Sequence, residues 1–305
     1  MSSNAQEFGR VAVLMGGISA EREVSLRSGA AVLRALQSQG VDAHRIDANP
    51  QNLMSELGQG FDRVFNMLHG RWGEDGVVQA ILQNLNIPFT GSGVLGCALA
   101  MDKVRTKQVW QALDLPTPAF RVIKGEDDLE GLLEELGLPL FLKPSHEGSS
   151  VGVGKVTHAD ELLDVYRASA AVGDDVIAES FVSGPELTVG ILANKALPVV
   201  RMAAANEFYD YQAKYESNET QYFCPAGLSG ELESQVRTLA EQAFKAVDCH
   251  HWGRVDVMLT SEDRPMLLEV NPIPGMTDHS LVPMAAQEAG LSFEQLVVAI
   301  LESAK

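Results

Sequence analysis

The sequence predicts an α/β unit at the N-terminus followed by α+β domains. Three observations predict it. Across residues 11–101, short apolar runs that end in glycine alternate with stretches of helical apolar spacing. From residue 183 onward strand-like runs are grouped together and the helices are set apart from them. The composition is that of a chain able to bury real cores, with 305 residues, 46 % hydrophobic and 21 % charged. A length of this order corresponds to two or three domains at roughly 100–150 residues each.

Residues 11–15 form an apolar run closed by Gly16 and Gly17, which reads as a buried strand with a tight exit. Residues 21–39 read as a helix, because Leu26, Ala30, Leu33 and Leu36 recur at helical spacing and Gly40 suits the stop. Residues 64–68 are a second strand ending at His69 and Gly70, residues 76–85 a short helix, and residues 87–90 a further strand. A helix over 102–113 and a Pro-Thr-Pro break at 116–118 place the first boundary near Met101. Strands dominate residues 119–181, with helices near 127–136 and 159–170. Strands are then expected at 186–193, 197–202, 254–259 and 265–270, and helices at 231–247, 282–289 and 293–303. Residues 206–225 are polar and aromatic without a period, which reads as a lid loop.

Charge removes several function classes. There are 23 Lys and Arg against 41 Asp and Glu, a formal charge of −18. That disfavours a nucleic-acid footprint, which needs clustered cations to displace counterions, and adhesion to anionic lipid. A small anionic ligand held by a few placed cations is still allowed. No apolar run reaches the roughly 20 residues of a membrane span. The three cysteines, Cys97, Cys224 and Cys249, have neither metal nor disulfide spacing, which makes the cytoplasm the default compartment.

Two glycine loops need weighing. Gly91 to Gly96 matches a dinucleotide pattern, but it comes late in the unit, and a tight strand-to-helix turn is the better reading. Residues 143–152, KPSHEGSSVG, begin with Lys143 at a strand end and return into a strand at 151–156. Ser149 and Ser150 with the small residues around them suit a phosphate cradle, and equally an ordinary hairpin loop.

The strongest physical argument lies near the C-terminus. Arg254, Asp256 and Met258 share one strand face, and Glu269 and Asn271 share another. Symmetric pairing about a turn at Glu262 and Asp263 sets Asp256 opposite Glu269 and Arg254 opposite Asn271. Two facing carboxylates destabilise a sheet unless a cation compensates them. Their oxygen-only chemistry suits Mg²⁺ bridging to phosphates better than a merely solvated face. Cys249, His250 and His251 are adjacent and cannot converge on one ion from regular structure. His69 ends a strand, where α/β sheets meet their ligands. Glu21 opens a helix, either complementing its dipole or fixing a ligand's ammonium.

Together these segments resemble the D-alanine–D-alanine ligase family of the ATP-grasp superfamily. The resemblance spans GGISAEREVS (16–25), LHGR (68–71), GEDG (73–76), GSG (91–93), MDK (101–103), EGSSVG (147–152), YDYQAKY (209–215), GRVDVM (253–258), PGMT (274–277) and HSL (279–281). It implies a Rossmann-like N-terminal domain, residues 1–101, then a two-domain ATP-grasp fold, a central domain at 102–182 and a C-terminal domain at 183–305 carrying the metal site and the lid. It implies that Lys103 and Lys143 hold ATP phosphates under the loop of Ser149 and Ser150. Glu179, Ser180, Phe181 and Val182 would form the adenine strand, with Glu186 on the ribose and Met258 completing the nucleotide contacts. Asp256, Glu269 and Asn271 would ligate two Mg²⁺ or Mn²⁺. Glu21, in a triad with Ser150 and Tyr215, would fix the first D-alanine, with His69 nearby. Arg254 and Gly275 would stabilise the oxyanion, Ser280 and Leu281 would bind the second carboxylate, and Lys214 would reach the transferred phosphoryl group.

The chemistry so implied is ATP-dependent joining of two D-alanines through an acyl phosphate for peptidoglycan precursors, in a cytoplasmic homodimer without nucleic-acid or membrane partners. The alternatives are a relative using another acceptor such as D-lactate, which Tyr215 disfavours, and a nucleotide sensor, which would need none of Glu21, Arg254 and Ser280. Two departures from the family stand out: Pro272 where threonine is usual, and His146 where arginine is common.

Overall fold

The computed structural model describes residues 5–146, 152–173, 175–203, 221–277 and 280–304. Three sheets organise them. The first has strand order β2-β1-β3 and is all parallel, from β1 (Arg10–Gly16), β2 (Asp42–Ala48) and β3 (Arg63–Asn66). Strand β1 is central and buried from Val11 to Gly16, as a strand covered on both faces must be. Helix α1 (Arg22–Ser38) packs on it. Its core-facing residues include Ser25, Ser28 and Gly29, while Leu26 and Leu33 are only partly buried. Close approach explains the small residues: a Cβ on Gly29 would lie 2.5 Å from that of Met15. Gly40 ends the helix region at φ +81°, a conformation glycine adopts without a Cβ clash.

The chain crosses from β1 to β2 on one side and returns to β3 on the other. The carboxyl ends of β1 and β3 therefore flank a topological switch point, where open α/β sheets bind ligands. Helices α2 (Leu53–Leu57), α3 (Val77–Asn84) and α4 (Val94–Met101) complete this part. Strand β2 escapes the sequence pattern because it is an edge strand, with Ala43, Ile46 and Ala48 buried among charged neighbours. Residues 87–90, expected as a strand, make only an isolated bridge from Phe89 to Val64.

Helix α5 (Lys103–Ala112) is capped by Asp102, whose carboxylate accepts from the Arg105 N–H at 2.9 Å. The second sheet has order β4-β7-β5-β6, from β4 (Phe120–Ile123), β5 (Leu140–Pro144), β6 (Gly154–Val156) and β7 (Val176–Ser180). The helix expected near 127–136 is broken into a 3₁₀ turn (Glu126–Leu129) and α6 (Leu132–Leu136), with Gly131 between them at φ +70°. Helix α7 (Leu162–Ala170) covers this sheet.

The third sheet is antiparallel, order β10-β9-β8-β11-β12, from β8 (Glu186–Leu192), β9 (Lys195–Ala203), β10 (Gln221–Phe223), β11 (Trp252–Leu259) and β12 (Pro265–Asn271). Helix α8 (Gly230–Ala246) packs on one face. Helix α5 joins that core through Trp110, whose indole N–H donates to the Ala243 carbonyl at 3.1 Å. Helices α9 (Leu281–Glu288) and α10 (Phe293–Leu301) share a second core with α1 and β1. That shared core brings the switch point of the first sheet against the hairpin of the third. No described helix is long and apolar enough to cross a membrane.

Candidate active site

The β11–β12 ladder pairs Arg254 with Asn271 and Asp256 with Glu269. The register then shifts by one residue between Asp256 and Val257, so that Val257 pairs with Leu267 and Leu259 with Pro265. The turn is therefore centred on Glu262, with Asp263 at φ +57° and the Thr260 N–H donating to the Arg264 carbonyl at 2.9 Å. The bulge at Leu268 takes up the extra residue. The pairing read from the sequence holds at the site, although the turn itself is one residue different.

The facing carboxylates are each met by a protein cation. Asp256 is only 4 % exposed and accepts from Arg254 Nε at 2.9 Å and Nη2 at 2.7 Å, and from the Thr188 hydroxyl. Glu269 lies 3.5 Å from Lys103 Nζ. Among the described residues no group of three or more His, Cys, Asp and Glu forms a metal cluster; the set here is two carboxylates and an amide. Its chemistry fits a hard cation: oxygen donors only, on one sheet face, all three lining the same cavity. Asn271 also accepts the Ile273 N–H through Oδ1 at 3.1 Å, which fixes the side chain over the following loop.

That cavity, of about 240 Å³, joins distant parts of the chain. Glu21 enters from the loop after β1, His69 and Glu74 from the loop after β3, and Lys103 from the start of α5. Glu186, Arg254, Asp256, Glu269 and Asn271 line the sheet side, and Gly275, Ser280 and Leu281 close it. His69 is buried, 3.7 Å from Glu74 and 3.5 Å from the Ser28 hydroxyl. Burial works to lower its pKa, but the hydrogen bond and charge of Glu74, with the charge of Glu21, outweigh it and hold it above 6.5. Burial lifts the Glu74 carboxyl above its ordinary 4.5.

Ser280 stands at the N-cap of α9 in extended conformation and its hydroxyl accepts the Thr277 N–H at 2.9 Å. A Cβ on Gly275 would lie 3.2 Å from that hydroxyl, so glycine leaves the backbone open to the cavity. The N–H groups of a helix start suit a carboxylate. Ser28 links the pieces, accepting the Met276 N–H at 3.1 Å.

Lys143, Glu179, Ser180, Phe181, Val182 and Met258 do not line this cavity. Lys143 sits on β5 and pairs with Glu179 on β7 at 2.7 Å. Ser180 donates from its hydroxyl to the Leu136 carbonyl at 3.1 Å, and the Phe181 ring lies 4.6 Å from Lys155 Nζ. Met258 faces Glu186 across β11 and β8. Ser149, Ser150, Lys214 and Tyr215, with His279 and residues 206–220 of the expected lid, lie outside the described residues. Of the departures, His146 lies 3.3 Å from Asp102, the cap of α5, and Pro272 is buried. Cys249 is buried whereas His250 is exposed, so that trio does not converge.

Sequence reasoning missed three groups. Glu74 and Ser28 orient His69. Lys107 is fully buried and ion-pairs with Glu179 at 2.9 Å. Lys107 follows Lys103 by one helical turn, the only signal that could have found it.

A switch-point crevice is thus joined to two further sheets, one bearing Lys143 and the other the carboxylate hairpin. Comparisons with known proteins supply the family. Residues 44–92 match the family description "D-ala D-ala ligase N-terminus" and residues 109–302 match "D-ala D-ala ligase C-terminus". The D-alanine--D-alanine ligase of Aromatoleum aromaticum is 56 % identical over 299 residues, covering 98 % of this chain and 97 % of that one. The enzyme of the same name from Stutzerimonas stutzeri is 53 % identical over 297 residues, covering 97 % and 95 %. A crystal structure of the D-alanine--D-alanine ligase from Bacillus anthracis complexed with ATP superposes with a TM-score of 0.85 at 31 % identity, over 96 % of each chain. The VanG D-Ala:D-Ser ligase from Enterococcus faecalis superposes with a TM-score of 0.85 at 28 % identity, over 96 % and 98 %. The chain belongs to the D-alanine–D-alanine ligase family.

Proposed function

We infer that this protein is an ADP-forming ligase that joins two D-alanines in an ATP-dependent reaction serving peptidoglycan synthesis. One observation carries the reading beyond family membership: a single cavity holds an acid for an ammonium, a cation for an oxyanion, a helix start for a carboxylate and a carboxylate hairpin for a metal.

A carboxylate is too stable to accept an amine, so the first D-alanine must be activated as an acyl phosphate. Glu21 holds its ammonium near His69, and Lys103 and Lys143 meet the phosphates of ATP. Asp256, Glu269 and Asn271 would hold two Mg²⁺ or Mn²⁺, which neutralise charge spreading over the transferring phosphoryl group. Arg254 and the Gly275 N–H receive the oxyanion that forms when the second amine attacks. Ser280 and the start of α9 anchor the second carboxylate. Glu179 to Val182 and Met258 contact the adenine, and Glu186 the ribose. Ser149, Ser150, Lys214 and Tyr215 complete the phosphate loop, triad and lid, which exclude water from an intermediate that hydrolyses readily.

The reading includes three domains at 1–101, 102–182 and 183–305, a cytoplasmic location and a homodimer. One sheet falling within each range supports the division. The discriminating assay is phosphate release from MgATP with D-alanine, L-alanine, D-alanine plus D-lactate, or D-alanine plus D-serine. Stimulation by D-alanine alone is expected. No stimulation, or equal stimulation by L-alanine, would refute the reading, and added turnover with D-lactate or D-serine would redirect the acceptor.

A further inference from the structure

Glu179 lies between two ammonium groups, one on each carboxylate oxygen. Lys107 Nζ stands 2.9 Å from Oε1 and Lys143 Nζ 2.7 Å from Oε2. The Lys107 side chain is fully buried, the Glu179 side chain is 5 % exposed and Lys143 is 12 % exposed. Lys107 is anchored from the other side as well. Its ammonium donates to the Thr117 hydroxyl at 2.6 Å, and that hydroxyl donates to the Leu267 carbonyl at 2.9 Å, beside the bulge of β12. The Leu267 N–H in turn donates to the Pro116 carbonyl at 2.8 Å. Lys107 is thus fastened to β7, to the Pro-Thr-Pro segment at 116–118 and to β12 at once.

The arrangement creates a problem that one lysine alone could not solve. On the proposed function, Lys143 has to offer its charge to a phosphate. If it were the only partner of Glu179, moving toward the phosphate would strand a buried carboxylate, and an uncompensated buried charge is strongly unfavourable. We propose that Lys107 is a positioning residue for nucleotide binding: it keeps Glu179 neutralised while Lys143 transfers its ammonium from that carboxylate to an ATP phosphate. Lys107 touches no reacting atom in this scheme and acts only through Glu179 and Lys143.

The electrostatics agree. Burial alone would raise the Glu179 carboxyl, yet the two ammonium groups hold it below 4.5. Burial pushes the Lys107 ammonium down to about 8 while Glu179 works to hold it up. Each group therefore favours the charged form of the other, the form the exchange uses.

The proposal rests on reading Lys143 as a phosphate-binding cation, so its test measures binding rather than ligation. The intact protein is titrated calorimetrically with a non-hydrolysable ATP analogue plus Mg²⁺, and separately with adenosine. Lys107→Met is expected to weaken the triphosphate about tenfold, because Lys143 is then held on Glu179, and to leave adenosine within about twofold. In a Glu179→Gln background the same change is expected to cost less than about twofold, since a neutral side chain needs no counter-charge. Equal loss for adenosine and triphosphate would mean a merely structural role and overturn the proposal. So would an unchanged triphosphate affinity, or a tenfold loss persisting in the Glu179→Gln background. Should Lys107→Met alone not fold, the pair Glu179→Gln and Glu179→Gln/Lys107→Met carries the test: a loss under about twofold supports the proposal and a tenfold loss overturns it. If wild type binds the analogue normally but D-alanine fails to release phosphate, the proposed function falls while this inference is still decided by the titrations.

Discussion

Replacing Arg254 by methionine tests the hairpin most directly. The Asp256 side chain is 5 % exposed, and Arg254 approaches it at 2.7, 2.9 and 3.2 Å through two nitrogens. Among the described residues the Thr188 hydroxyl would then be the partner that stays. Breaking a buried pair from one side costs about 3–5 kcal/mol. Arg254 is 17 % exposed and its place can admit some water, so the lower end applies, about 3 kcal/mol. At a urea dependence of about 3 kcal/mol per molar or somewhat more, the midpoint falls by about 1 M. Added Mg²⁺ should recover more stability in the variant than in wild type, because a cation bound at Asp256 replaces the lost guanidinium and stabilises by mass action. In an Asp256→Asn background the Arg254→Met penalty should largely vanish. Turnover should fall by about 10²–10³-fold, the usual loss for one oxyanion donor. A variant within about 0.5 kcal/mol of wild type, or a penalty that persists in the Asp256→Asn background, would refute the argument.

Two further outcomes are expected. Glu269→Gln keeps the side-chain volume but removes the charge facing Asp256, 3.5 Å from Lys103. Turnover should drop at least about 100-fold, with a higher Mg²⁺ requirement, and wild-type rates across a Mg²⁺ titration would remove the hairpin from the chemistry. His69 sets a pH dependence of definite sign. Its folded pKa is held above 6.5, so the stability it contributes is fully present below pH 6.5 and is lost as pH rises through the folded value. Denaturant unfolding of wild type and His69→Gln between about pH 6 and pH 9 should therefore show their difference shrinking as pH rises; a difference that widens contradicts the assignment.

What could be read from the sequence, and what could not, divides along physical lines. Alternation is local, so the faces of β11 and β12 were legible, and the Asp256–Glu269 pairing with them. The bulge was not, because Leu268 looks like any apolar strand residue and only the turn geometry assigns the extra position. Helix α1 was legible from its apolar recurrence, but the core-facing side includes the small residues Ser25, Ser28 and Gly29, which a search for large apolar side chains passes over. Strand β2 was hidden by its charged edge. Lys107 was hidden for a different reason. A lysine is expected in water, and nothing nearby in the sequence says that Glu179, seventy-two positions away, will meet it in a dry interior.

The excess of acid also takes on a different meaning once the pairs are known. A formal charge of −18 describes a surface, and on its own it would repel a substrate bearing several phosphates. Inside, the carboxylates are matched locally: Asp256 by Arg254, Glu269 by Lys103, Glu179 by Lys107 and Lys143, and Glu74 by His69. Such pairing lowers the field that these carboxylates present to an approaching anion. On the proposed function the site would admit one by exchange, with ammonium groups passing from carboxylates to phosphates and Asp256, Glu269 and Asn271 holding divalent cations. Lys107 keeps Glu179 neutralised when Lys143 leaves it, whereas Lys103 leaving Glu269 would be favoured where a cation takes its place. On that reading nucleotide and metal would strengthen each other's binding by the same factor. An acidic chain can in this way bind a polyanion tightly without a basic surface to attract it.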